Sequence, residues 1–344
     1  MNKLFLFLIV FAWSVVTHAQ NLTKTGVLSM KLRNSGAIIQ DDQVRGYYFF
    51  YNQEKQDRKN NNYLLTVTDE NLREINSINI VRPTTYTLVE GSFNGDAFGF
   101  MFYDSRGKSV ELIAYDRTLK QTGSTVKRLS SKIALAALNQ VSLGNQASQS
   151  YLVPVSPNGF LYYGIKDGNK YHYEVEFYDN AMKRKWMNQA TVNANVELAS
   201  EAFQDGGYVG SLIARKKSAS AKDIDFDLLV QDAESGAVMF RIPVATDQYN
   251  VSLSDVYFDK NKQGFVIFGE YYNKTDKELK DQSQGFITLE LDMQGKIKAQ
   301  KINSWATEIS QVTPINERGK FDGLKANILF HNTIRTNDGQ IFVI

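Results

Sequence analysis

The chain of 344 residues has no cysteine. That excludes disulfides, thiol catalysis, cysteine metal sites and a lipidated cysteine. Stability must come from burial alone, which a mature chain of about 325 residues can supply. Proline is scarce, at 5, and histidine numbers 3. No charge of one sign dominates: 39 Lys and Arg face 37 Asp and Glu, interspersed along the chain. Without a basic tail or an acidic tract, nucleic acid is not an expected partner. Long hydrophobic runs are also missing beyond the first twenty residues, so no membrane span is expected in the mature chain. No Gly-rich phosphate loop opens a helix, and no Gly-x-Ser-x-Gly elbow occurs.

What is present begins with a targeting signal. Lys3 supplies positive charge, "LFLFLIVFAWSVV" (4–16) is a short apolar core, and "THAQ" (17–20) offers small residues for a cut after Ala19. This is the pattern of a signal peptide over 1–19, and it implies export to the periplasm, the outer-membrane surface or the medium. The remainder, 20–344, reads as one domain.

Tyr (18) and Phe (21) are abundant and the apolar runs are short, which suits strands. The runs recur in a fixed layout. "FQDGGYVGSLIA" (203–214), "SPNGFLYYGIK" (156–166) and "TNDGQIFVI" (336–344) each place Gly at a turn before an apolar run. "KNKQGFVIFGEYY" (260–272), "FNGDAFGFMFYD" (93–104) and "QVRGYYFFYNQE" (43–54) are looser copies. Glycine is expected here to supply the positive φ of a tight hairpin. After each complete copy comes a strand, a turn opened by an acid, and another strand. The turn acids are Asp69, Asp116, Asp179, Asp232 and Asp292, spaced by 47, 63, 53 and 60 residues. A side chain there can accept bonds from the turn's own NH groups, so a structural role suffices. A further strand precedes each Gly turn, as in "TTYTLVEG" (84–91) and "VSLSDVYF" (251–258). Four short antiparallel strands repeated at about 50 residues is the signature of a propeller blade. The expected fold is therefore an all-β β-propeller of four-stranded antiparallel blades. Approximate blades are 25–82, 83–128, 151–192, 195–246 and 249–303. A truncated sixth at 325–344 has only its first two strands, which leads to the expectation that the domain continues past Ile344.

The pair "DGGYVGSLIA" and "YDNAMKRKW" resembles the repeat of secreted Bacteroidota proteins, in which Asp-Gly-Gly-Tyr/Phe strands precede an Asp turn and a Trp. Only one repeat keeps both glycines, Gly206 and Gly207. The mature chain also resembles an uncharacterised family of exported Bacteroidota proteins, a domain of unknown function. The resemblance implies a propeller-like fold and an exported location, and it carries no catalytic residues.

Two stretches interrupt the rhythm. In "LSSKIALAALNQVSLGNQASQS" (129–150), Ser130 or Ser131 can cap a short helix over Ile133, Leu135, Ala136 and Leu138. "NSWATEISQVTPINERGKFDGLK" (303–325) carries Trp305 and Pro314. Both read as covers over blade junctions. Three long charged loops, 52–62, 215–223 and 273–284, join second to third strands and should share one face of the ring. Arg215, Lys216 and Lys217 form a small basic patch, read as a solvated face.

Candidate chemistry is thin. His172 and His331 lie in different repeats and read as polar strand residues. Asp223, Asp225 and Asp227 alternate in "DIDFDLL" and share a strand face. They lack the glycine turn and closing Glu of a calcium loop and read as a solvated edge. Tyr47 and Tyr48, Tyr162 and Tyr163, and Tyr271 and Tyr272 are adjacent pairs that should send one ring to each side of a sheet, chiefly as packing. No catalytic, cofactor-binding or metal residues are assigned, and no cofactor is expected. The expected function is a non-enzymatic binding or scaffold protein of the bacterial cell envelope, taking a glycan, a peptide or an envelope protein. The alternative is a carbohydrate-active hydrolase with paired carboxylates from different blades.

Overall fold

The computed structural model describes residues 23–40, 43–53, 57–143, 150–166, 171–190, 196–218, 220–276, 279, 282–317, 319–321, 333–335 and 341–343. The signal segment, His331 and most of the last repeat lie outside the described residues.

The chain is all-β, built from consecutive four-stranded antiparallel sheets in which strand order follows chain order. The first sheet holds β1 (Val27–Gln40), β2 (Gln43–Gln53), β3 (Asn60–Asp69) and β4 (Glu74–Pro83). The second holds β5 (Tyr86–Phe93), β6 (Ala97–Asp104), β7 (Ser109–Asp116) and β8 (Gln121–Arg128). The third holds β9 (Leu152–Val155), β10 (Gly159–Ile165), β11 (Tyr173–Asp179) and β12 (Arg184–Gln189). The fourth holds β13 (Val196–Asp205), β14 (Tyr208–Lys216), β15 (Asp225–Asp232) and β16 (Val238–Pro243). The fifth holds β17 (Tyr249–Asp259), β18 (Gly264–Asn273), β19 (Gly285–Leu291) and β20 (Ile297–Ser304). A two-stranded pair follows, β21 (Thr333–Arg335) and β22 (Ile341–Val343).

The middle strands of the second, third and fourth sheets are apolar on both sides, so each of these sheets packs against two neighbours. Along β6, Phe98, Phe100 and Phe102 face the first sheet while Met101 and Tyr103 face the third. Tyr162 and Tyr163 divide in the same way between the second and fourth sheets. Four apolar seams result, one between each consecutive pair of sheets. Ion pairs cross two of them: Arg82 grips Glu111 at 2.8 and 3.2 Å, and Lys127 pairs with Glu174 and Glu176.

The turn acids do the same work in every sheet. Oδ1 of Asp69, Asp116, Asp179 and Asp292 accepts bonds from NH groups two and four residues on. Asp232 accepts from Ser235 instead. One residue in each turn is left-handed: Leu72, Leu119, Met182, Gly236 and Gly295. A non-glycine residue there costs about 1–2 kcal/mol. Leu119 and Met182 offset it by burying their side chains in seams.

The repeat's glycines partly follow a different logic from the one expected. Gly95, Gly206 and Gly207 do have positive φ. Gly46, Gly159 and Gly264 do not; a Cβ at each would strike the carbonyl oxygen of the residue before the opposing turn acid. Close approach of two backbones, not handedness, selects glycine there.

A second recurring contact latches each sheet to the next. Near the start of the fourth strand, a side chain reaches the acidic turn of the following sheet. Asn76 Nδ2 donates to Thr118 O at 3.0 Å, Thr122 Oγ1 to Asn180 O at 2.5 Å, and Trp186 Nε1 to Ala233 O at 3.0 Å. Phe240 lies against Gly295 so closely that a Cβ would meet its ring at 2.7 Å.

The helix α1 (Lys132–Ser142) is capped by Ser131, whose Oγ accepts from Ala134 N. Leu138 and Val141 insert into the seam between the second and third sheets, so this segment covers a junction. Trp305 and Ile315 likewise pack on Phe268 and Phe286 of the fifth sheet. The aspartate row is corrected by the fold. Asp225 is exposed, but Asp227 is 5% exposed and paired with Arg241 at 2.8 Å and Arg215 at 3.1 Å. Arg215 is accordingly an ion-pair partner and not part of a free basic patch. The alternation of "DIDFDLL" was legible; the cations opposite it, on β14 and β16, were not.

Candidate functional site

First strands lie side by side: β1 beside β5, β5 beside β9, and β13 beside β17. Four of them bend at register shifts, near Met30–Ser35, Leu88–Glu90, Glu201–Phe203 and Leu253–Asp255. A bulge re-aims side chains next to it. Glu90 and Glu201 both stand at such bulges, and they are close enough for Glu90's charge to act on Glu201. Glu90 is buried, and its Oε2 accepts from Tyr151 N at 2.5 Å and Leu152 N at 2.9 Å, tying β5 to the entry of β9. Glu201 keeps solvent contact, yet crowding by protein, followed by Glu90's charge, raises its carboxyl above the ordinary range. Burial, with Glu90 again second, pushes the Tyr48 hydroxyl up to about 12. Nearby, Tyr163 and Ser211 share a buried hydrogen bond of 3.0 Å. Glu90 and Glu201 escaped the sequence reading. Their one signal was an acid inside an otherwise apolar first strand, in "TLVEG" and "LASEAF".

Other ionisable clusters serve the seams. Burial alone would raise Glu176; bonds from Lys127, Tyr178 and Arg184 outweigh it and hold the carboxyl below its usual value. Arg241 bridges Asp227 and Glu197. His172 is buried beside this group and bridges Glu197 through its backbone. The histidine thus sits in packed structure, at an isolated bridge outside the named strands.

A cleft of about 310 Å³ opens between the fourth and fifth sheets, on the side of their second-to-third-strand loops. Phe226, Val244 and Val251 give it an apolar floor, with Arg215, Asp225, Asn250 and Lys274 around it. Its wall is preset: Asn250 Nδ2 donates to Lys274 O at 3.1 Å and Asp276 O at 2.9 Å, and Lys274 Nζ donates to Thr246 O at 2.5 Å. Such a cleft, partly apolar with few convergent polar groups, has the size of ligand sites in general. A larger one, about 520 Å³, lies on the face of the fifth sheet turned away from the fourth.

Among the described residues no group of three or more His, Asp and Glu could hold a metal, and no helix is long and apolar enough to cross a membrane. Successive antiparallel sheets joined through apolar seams define a propeller-like, repeated-sheet protein. The chain belongs to a family of unknown function, DUF6770, whose model matches residues 1–344. No curated protein sequence matches it. Among solved structures, a prolyl endopeptidase is similar at 9% identity and TM-score 0.43, over 80% of this chain and 35% of that one. A Synechocystis apocarotenoid oxygenase is similar at 10% identity and TM-score 0.38, over 78% of this chain and 61% of the other. This chain therefore spans about a third of the first and less than two thirds of the second.

Proposed function

We propose that the sheets are blades of a propeller, five complete and a sixth represented by β21 and β22, carried by an exported protein of the bacterial cell envelope. Its function is binding or scaffolding without catalysis. The observation that carries this reading is the preset cleft between the fourth and fifth sheets. Its floor around Phe226 suits the apolar face of a sugar or a peptide side chain. Arg215, Asp225, Asn250 and Lys274 offer donors and acceptors of both signs beside it. The carboxylates elsewhere support the same reading, because the turn acids, Glu176, Asp227 and Glu90 are occupied in holding neighbouring strands. The test is a glycan, peptidoglycan-fragment and peptide binding screen on the mature protein, repeated with Phe226→Ala. A ligand whose affinity falls at least tenfold in the variant supports the cleft. A ligand indifferent to Phe226 removes it.

One observation favours the hydrolase alternative. Glu90 and Glu201 stand at bulges of two first strands, with the Glu201 carboxyl raised by burial and then by Glu90's charge, and glycosidic acid–base pairs likewise combine a raised carboxyl with a second one. Glycan turnover abolished by Glu201→Gln would replace the binding reading with that one.

A further inference from the structure

We infer that the cleft on the far face of the fifth sheet is the seat of the β21–β22 hairpin, a fifth seam built like the four before it. The inference rests on the propeller reading above.

In the second, third and fourth sheets, both faces are covered by neighbouring sheets. The fifth sheet repeats their design. Phe265, Ile267 and Leu289 face the fourth sheet, while Val266, Phe268 and Phe286 point the other way. Part of that far face is covered by the chain itself. Trp305 packs edge-on against Phe286 at 4.8 Å and donates Nε1 to Ser283 Oγ at 3.2 Å. The rest is the open cleft, bounded by Tyr257, Lys262, Thr288, Lys301 and Asn303. Among the described residues, no side chain near the start of β20 makes the latch of the earlier sheets. Ala299 stands seven residues after its turn acid, as Asn76 and Trp186 do after theirs, and it is exposed with no side chain to reach a partner. The fifth face offers a neighbour the apolar Val266, Phe268 and Phe286, with Lys262, Glu290, Lys301 and Asn303 around them.

The hairpin needs such a face. Two strands of three residues, with Ile334 opposite Phe342, are not stable alone in water. Phe321, which packs against the Trp305 cluster on the fifth face, precedes Thr333 by 12 residues, a reach of about 40 Å. Tethering over that length gives the hairpin a millimolar-range effective concentration, which a free partner strand would have to match.

The absence of native cysteine allows a direct test. In the full-length mature protein, Thr288→Cys is combined with Phe342→Cys or with Ile341→Cys, successive positions of β22. Mild oxidation should give an intrachain disulfide in one of the two pairs, located by peptide mapping. A native circular-dichroism spectrum with no bond in either pair overturns the inference. Bonds only between two chains overturn it as well, and assign the face to a second copy. The ring itself is judged separately, by the distance between labels on the first and fifth sheets. The hairpin seat can therefore fail while the ring stands, and the reverse.

Discussion

The latch between consecutive sheets can be tested at Trp186 and Gly236 by a double-mutant cycle. Gly236 is left-handed, and a Cβ there would meet the Trp186 ring at 2.6 Å. Gly236→Ala should cost about 1–2 kcal/mol for handedness and about 1–2 kcal/mol more for the forced ring. Trp186→Ala loses the bond to Ala233 O, the stacking on Phe177 at 5.7 Å and part of a half-buried ring, about 3 kcal/mol together. In the double variant the ring is gone, so the substitution at Gly236 adds only its handedness cost. The sum should fall short of additivity by about 1–2 kcal/mol. Urea unfolding with unchanged m-values measures all four proteins. Additivity within about 0.5 kcal/mol would mean that the two groups do not touch, and the latch would be refuted.

Three further outcomes follow from the same contacts. Glu176→Gln should cost about 2 kcal/mol at pH 7, since Lys127 and Arg184 both lose a buried carboxylate and Lys127 keeps only Glu174. Because the folded carboxyl sits below 4.5, that contribution is present above pH 4.5 and is lost as pH falls through the lowered value, so the variant's deficit should shrink in acid urea titrations. Glu201→Gln should act oppositely. A raised folded pKa makes stability fall as pH rises from 4.5 through it, so the variant should gain about 0.5 kcal/mol at pH 7, after allowing for solvent screening, and nothing below about pH 4. Leu119→Gly should lose about 2 kcal/mol, because burial in the seam outweighs relief of the left-handed backbone, whereas half-buried Leu72→Gly should stay within about 0.5 kcal/mol of the parent in thermal melts.

Strand order and turn chemistry were legible because they are local. Asp116 and the residues it bonds lie within four positions, and alternation along "AFGFMFYD" announces two packed faces. The helix over Lys132–Ser142 was legible in the same way, through a serine cap that proved to be Ser131, but its stripe was only half read: Leu138 is buried as expected, Ala136 is exposed, and Ala134 and Val141 take the other buried places. Pairings across seams were not. Nothing near Lys127 in sequence points to Glu176, and nothing near Arg241 points to Glu197, because partners on different strands or sheets leave no local pattern. Asp227 shows the consequence: the same carboxylate is a solvated edge when read with its neighbours and a buried anion once β14 and β16 supply cations. Glu90 and Glu201 were missed on the same ground, since the influence of one first-strand acid on another depends on how the strands are arranged in space. The glycines were half legible. The need for glycine at Gly46 or Gly159 is plain, but its cause is an opposing carbonyl that the sequence does not display.

The claim most in need of measurement is that the sheets curve around a common axis and do not form an open stack. Leu64 lies on the first-sheet face turned from the second, and Thr288 on the fifth-sheet face turned from the fourth. Spin labels on Leu64→Cys and Thr288→Cys in this cysteine-free chain report their separation by pulsed dipolar spectroscopy. Face-packed sheets lie about 10 Å apart, so a ring with one sheet between the labels predicts about 20 Å. A narrow distribution near that value agrees with the propeller, and a distance of about 40 Å or more, as for five sheets in a row, contradicts it.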